Sequence, residues 1–148
     1  MKSKLFILLC CSYLIAFVIN LIPSIKHPDS TMTIIHLFAS TLLVIALSAF
    51  IKMTSFQNVV VKNTLFIGFI SGLMVYTVNF LTSLTEIAMI DILAAIQYPF
   101  YLIFVTPFFG MNYLVGLSYD AFSLLLSAVY LFAFVFVMDI HKKAILKE

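Results

Sequence analysis

Not one of the 148 residues is arginine or tryptophan, and charged residues make up only 9% of the chain. Without arginine there is no planar fork of donors for bidentate phosphate or carboxylate recognition. The eight lysines form no basic patch, so nucleic acid is not an expected partner. The shortage of charge also removes two broad classes of chain. Soluble domains are about half apolar and about a quarter charged. This chain is 64% hydrophobic with a mean hydropathy of +1.21. A protein this small has too little interior to hide that apolar mass from water. Disorder needs the opposite composition, with low hydrophobicity and high charge. What remains is a chain that uses lipid as its solvent.

Cysteine is also scarce. The two present, Cys10 and Cys11, are adjacent inside an apolar run. Neighbours in sequence make a poor structural disulfide and no metal cage, so they read as small packing residues, and they leave the redox compartment open. The start, Met1-Lys2-Ser3-Lys4 followed by an apolar run, resembles a signal peptide. The run extends over 21 residues, however, and no small-x-small cleavage site follows it. A retained first membrane helix is expected.

The few charges divide the chain into long uncharged runs: residues 5–25, 30–51 (holding a neutral His36), 63–85, 92–119 and 121–138. About 20 apolar residues in a helix cross about 30 Å of hydrocarbon. In lipid every backbone polar group must be satisfied internally, which makes these runs helices. The expected fold is therefore all-α: a polytopic integral membrane helical bundle forming one transmembrane domain over 1–148. Spans are expected near 5–25, 33–51, 64–84, 95–115 and 121–139. Asp29, Ser30 and Thr31 are the N-cap candidates for the second span, and Val59-Val60-Val61 reads as an interfacial run.

Length alone gives five crossings, but the lysines favour four. With the N-terminus cytoplasmic and four crossings, seven of the eight lysines face inward and only Lys26 faces outward. With five crossings the split is four to four. Lysines near span ends favour the cytoplasmic side. The two counts are reconciled if 92–119 enters the membrane and turns back. That stretch holds Pro99, Pro107, Gly110 and Gly116, and Pro107 removes a backbone donor and clashes with the preceding turn. Re-entrant backbone is tolerated only where protein or water covers it. A kinked but complete span is the alternative.

Helical spacing places Gly68, Gly72, Tyr76, Asn79 and Ser83 on one face of the third span. Gly68 and Gly72 form a G-x-x-x-G pair, which lets two helices approach closely. The first span aligns Ser12, Ala16, Asn20 and Pro23. The last aligns Asp120, Ser123, Ser127 and Tyr130. On the cytoplasmic-N topology, Asn20, His36, Tyr76 and Asn79 fall toward the outer ends of their helices, and four crossings bring Asp120 to the same depth. These five residues are the candidate outward-facing polar site.

No nucleophile–base pair, glycine loop, nucleotide motif or haem-type histidine pair is present, and His36 lacks companions for a metal site. No catalytic activity, cofactor or metal is expected. The leading expectation is a non-catalytic multi-pass protein of the cell membrane. It would act through its helix faces on membrane lipids, a membrane-protein partner, a peptide or a second copy of itself. A small-solute or ion transporter working as a homo-oligomer is the alternative.

Overall fold

A computed structural model describes residues 2–53, 59–84 and 88–145, with side-chain surroundings for 3–52, 59–84 and 92–138. Glu86 and Lys147 lie outside the described residues. Of Asp91, Asp139, Lys142 and Lys143 only the helical backbone is described. The chain forms α1 (Lys2–Lys26), α2 (Ile34–Met53), α3 (Val59–Leu84), α4 (Ala88–Phe104), a 3₁₀ helix (Thr106–Leu114) and α5 (Tyr119–Ile145). Four of these, α1, α2, α3 and α5, are long and apolar enough to cross a membrane. Val59-Val60-Val61, read as an interfacial run, forms the first turn of α3.

The helices pack in two antiparallel pairs. In the first, Phe6 meets Phe50 with tilted rings at one end, and Asn20 bonds Ser40 toward the other. In the second, the contacts of α3 with α5 run in opposite order along the two chains. Phe66 meets Phe134, Gly68 faces Tyr130, and Gly72 lies against Ser123 and Ser127. The end of α3 and the start of α5 therefore sit at the same end of the bundle, so the segment between them must come back to where it left.

The segment does so by breaking at Val105. Its two halves, Ile92–Phe104 and Thr106–Leu114, meet at an angle of 73°. The expected span near 95–115 is thus not a straight crossing; the segment is re-entrant. Pro107 supplies the reason, since it has no N–H to continue α4 and its ring disfavours an α turn before it. Asn112 closes the return. Its Oδ1 accepts the Leu117 N–H at 2.9 Å, and its Nδ2 donates to the Leu117 carbonyl at 2.7 Å. Gly116 takes a positive φ of 62° in this turn, a conformation that costs glycine nothing.

Many of the buried contact positions are small or polar: Ser12, Ala16, Asn20, Ala39, Ser40, Gly68, Ser71, Gly72, Ser123 and Ser127. They flank an apolar core that includes Leu43, Val75, Phe109 and Phe122. Large apolar side chains such as Phe132, Phe38 and Val18 point outward. Lipid tails are as apolar as leucine, so close backbone approach and hydrogen bonds hold such helices together. Hydroxyls on the helices turn back onto their own backbone, as Thr41 does to Leu37 and Ser123 to Tyr119.

Candidate functional site

The re-entrant segment breaks its own hydrogen-bond ladder, and the surrounding helices repair it. In a continuous helix the Ile103 carbonyl would accept from residue 107, but Pro107 has no N–H. The Tyr13 hydroxyl of α1 takes that place at 2.9 Å. The Phe108 N–H bonds Val105 at 3.0 Å in the tighter 3₁₀ pattern, which frees the Phe104 carbonyl. The Tyr130 hydroxyl of α5 donates to it at 2.9 Å. The Pro107 carbonyl accepts from Asn20 Nδ2 at 3.2 Å and from Ser40 Oγ at 2.8 Å, and Asn20 also donates to Ser40 at 3.0 Å.

The same logic operates in reverse at the end of α1. Pro28 stands four residues after Ser24 and has no N–H to give its carbonyl. Tyr101 of α4 donates its hydroxyl there at 2.8 Å, and the Ser24 hydroxyl pairs with Thr106 at 3.2 Å. Two proline-made gaps, one in α1 and one in the hairpin, are thus closed by side chains across the interface.

Steric fit completes the seat. A Cβ on Gly110 would overlap the His36 carbonyl and come within 2.7 Å of Asn20 Oδ1. Only a hydrogen in place of a side chain lets the hairpin backbone rest on α2. Phe109, fully buried, packs edge-on against His27 and Phe122.

The candidate polar residues divide among separate surroundings. Asn20 is at the centre of the hairpin seat and fully buried, with its Oδ1 unpartnered. His36 meets the hairpin through its carbonyl, but its ring turns back to its own helix start. There Nδ1 accepts the Thr33 N–H at 3.0 Å, and the His36 N–H bonds the Thr33 carbonyl at 3.0 Å. Thr33 and His36 together close the start of α2, a task that sequence patterning assigns to Asp29, Ser30 or Thr31. Asn79 sits beside the Tyr119 hydroxyl, and its buried Nδ2 has no hydrogen-bond partner. Asp120 is half-buried next to Tyr119, and Tyr76 is half-buried on α3. A recess of about 250 Å³ near Tyr119 is lined by Ser24, His27, Gln97, Tyr98, Tyr101 and Tyr119.

A much larger cavity, about 830 Å³, occupies the other half of the bundle. Its walls are Phe6, Leu9 and Tyr13 of α1, Leu43, Leu47 and Phe50 of α2, and Val61, Thr64 and Leu65 of α3. The hairpin tip at Ile103, Phe104 and Phe108 closes it, with Tyr130 beside them. Nothing in the sequence marked this space, because it arises between helices whose faces are individually ordinary. Cys10 is on its wall and is a free thiol. Among the described residues no three of His, Cys, Asp and Glu come together as metal ligands.

Comparison with known protein families, with characterised proteins and with solved structures finds no match.

Proposed function

We propose that this is a non-catalytic multi-pass protein of the cell membrane that holds an apolar component of the bilayer in the large cavity between its helix pairs. The cavity carries this reading. It is well inside the size range of ligand-binding pockets, and its walls come from three helices plus the hairpin tip. The sevenfold excess of lysines on one side supports a cytoplasmic N-terminus and C-terminus. The transport alternative draws little support from the geometry. Of the polar residues that could line a pathway, Asn20, Tyr76, Asn79, Thr106 and Ser127, two are engaged in seating the hairpin, Asn20 through the Pro107 carbonyl and Thr106 through Ser24.

The test exploits the absence of tryptophan. Phe50→Trp puts a single fluorophore in the cavity wall. Phe132→Trp puts one on the outer surface, where Phe132 is 77% exposed. In vesicles doped with brominated-chain lipid, a resident acyl chain makes quenching at position 50 saturate at a lower bromolipid fraction than at position 132. Superimposable quenching curves would remove the reading.

A further inference from the structure

We propose that the occupant of the large cavity is an anionic phospholipid of the cytoplasmic leaflet, with its acyl chain between the helix pairs and its phosphate on Lys4, Lys52 and Lys62. This rests on the cavity holding an apolar component, as proposed above, and names its chemistry. Three observations carry it.

The first is shape. Along α1 the walls run from Phe6 to Leu14, about 12 Å at about 1.5 Å per residue. One leaflet of hydrocarbon is about 15 Å deep. The hairpin tip closes the space at the level of Phe104 and Phe108. A crossing helix about 10 Å wide and about 30 Å long fills more than about 2,000 Å³. A cavity of about 830 Å³ takes an extended chain, not a helix.

The second is the position of the polar end. At the closed top, the hydroxyls of Tyr13 and Tyr130 are already given to the Ile103 and Phe104 carbonyls. A headgroup finds no donor there and must face the opposite mouth.

The third is charge. The mouth is formed where α1 begins, α2 ends and α3 begins. Phe6, Ile51 and Val61 line the cavity, and each is one or two residues from a lysine: Lys4, Lys52 and Lys62. Lys4 and Lys52 are exposed, and Lys62 is half-buried. From residue 1 to residue 85 the only acid is Asp29, which lies past the opposite end of α1. Lysines on three helices therefore stand within two residues of the lining at this end, and none of those helices carries an acid. Basic groups at the cytoplasmic face attract anionic headgroups.

Native mass spectrometry of the full-length protein, released from a neutral detergent holding equal phosphatidylglycerol and phosphatidylcholine, tests this. The expected result is one retained phosphatidylglycerol, preferred about tenfold or more over phosphatidylcholine. Lys4→Gln, Lys52→Gln and Lys62→Gln combined should bring the ratio near one, while Lys26→Gln at the far end leaves it unchanged. Equal retention of both lipids by the unaltered protein overturns the anionic assignment and leaves the apolar reading standing. Retention of neither overturns both. A dimer mass without lipid assigns the cavity to a second copy and overturns the proposal.

Discussion

The Tyr13 hydroxyl donates to the Ile103 carbonyl across 2.9 Å and ninety residues of sequence. That carbonyl is the one Pro107 leaves without a partner. The bond therefore joins the first membrane helix to the break that turns the re-entrant segment around. Tyr130 does the same from the last helix, on the neighbouring Phe104 carbonyl. Tyr13→Phe keeps the ring and deletes only the donor, leaving a carbonyl unsatisfied in an apolar setting. Hydrogen bonds between membrane helices contribute about 1 kcal/mol. Denaturant titration of the detergent-solubilised protein should show a loss of about that size for Tyr13→Phe and again for Tyr130→Phe. Unchanged stability in both would mean the hairpin does not depend on these hydroxyls.

The Pro107 carbonyl has two donors, Asn20 and Ser40, which also bond each other. Removing one leaves the other. Asn20→Ala and Ser40→Ala should each cost less than about 1 kcal/mol, and the pair should cost more than the sum. Partners in one network couple in this way, by about 0.5–3 kcal/mol. Strict additivity in a double-mutant cycle would show that the carbonyl is not shared.

Gly72 and Gly68 are both in the α3–α5 contact, but what faces them differs. A Cβ at Gly72 would overlap the Ser123 carbonyl and reach Ser127 Cβ at 2.9 Å. These are backbone or backbone-anchored atoms that no side-chain change can withdraw. A Cβ at Gly68 would meet the Tyr130 ring at 2.8 Å, which a second substitution can remove. Gly72→Ala should therefore destabilise by about 1–3 kcal/mol or more and resist rescue. The loss in Gly68→Ala should be partly recovered by Tyr130→Leu. Equal rescue of both would contradict this packing.

The runs that become α1, α2, α3 and α5 were legible because charges and loop residues bound them and lipid leaves the backbone few alternatives. The buried faces of α1 and α5 were legible in part, since Asn20, Ser123, Ser127 and Tyr130 recur at helical spacing. Direction at Pro107 was not. Proline signals a break, but whether the chain crosses or returns depends on donors ninety residues away. The role of Tyr101 is non-local in the same way: it is buried and donates to the Ser24 carbonyl, which Pro28 leaves open. Of the residues that helical spacing groups toward the outer ends, His36 turns its ring to the start of its own helix, a local bond that spacing does not show. The cavity was invisible because no single helix encodes it.

Gly110 is the point at which the hairpin backbone touches α2 most closely. Gly110→Ala sets a methyl group against the His36 carbonyl and Asn20 Oδ1. Neither the α2 backbone nor the fully buried Asn20 has room to retreat. The hairpin should lift from its seat at a cost above about 3 kcal/mol. With both native cysteines replaced by serine, Phe109→Cys reports this directly, since Phe109 is fully buried in the seated hairpin. Maleimide labelling of position 109 should be slow with glycine at 110 and fast with alanine. Equal rates would show that the close approach is not what seats the hairpin.

The re-entrant path makes a prediction about sides that no packing change can imitate. If the segment 92–114 enters and leaves at one face, Val115 shares a side with Asp29, and Lys62 is opposite. If the segment crossed, Val115 would join Lys62. Val115 is 51% exposed, so a cysteine there is open to reagent. In the serine background, single cysteines at 29, 62 and 115 can be probed with a membrane-impermeant maleimide in intact cells. Positions 29 and 115 should label together, and 62 only after permeabilisation. The lysines supply the reason for that polarity: Lys4, Lys52 and Lys62 resist translocation, while the hairpin carries no lysine and can be inserted from the far side. Labelling of 115 with 62 would restore a fifth crossing. It would also require α3 and α5 to run parallel, which the opposed order of Gly68 with Tyr130 and Gly72 with Ser123 forbids.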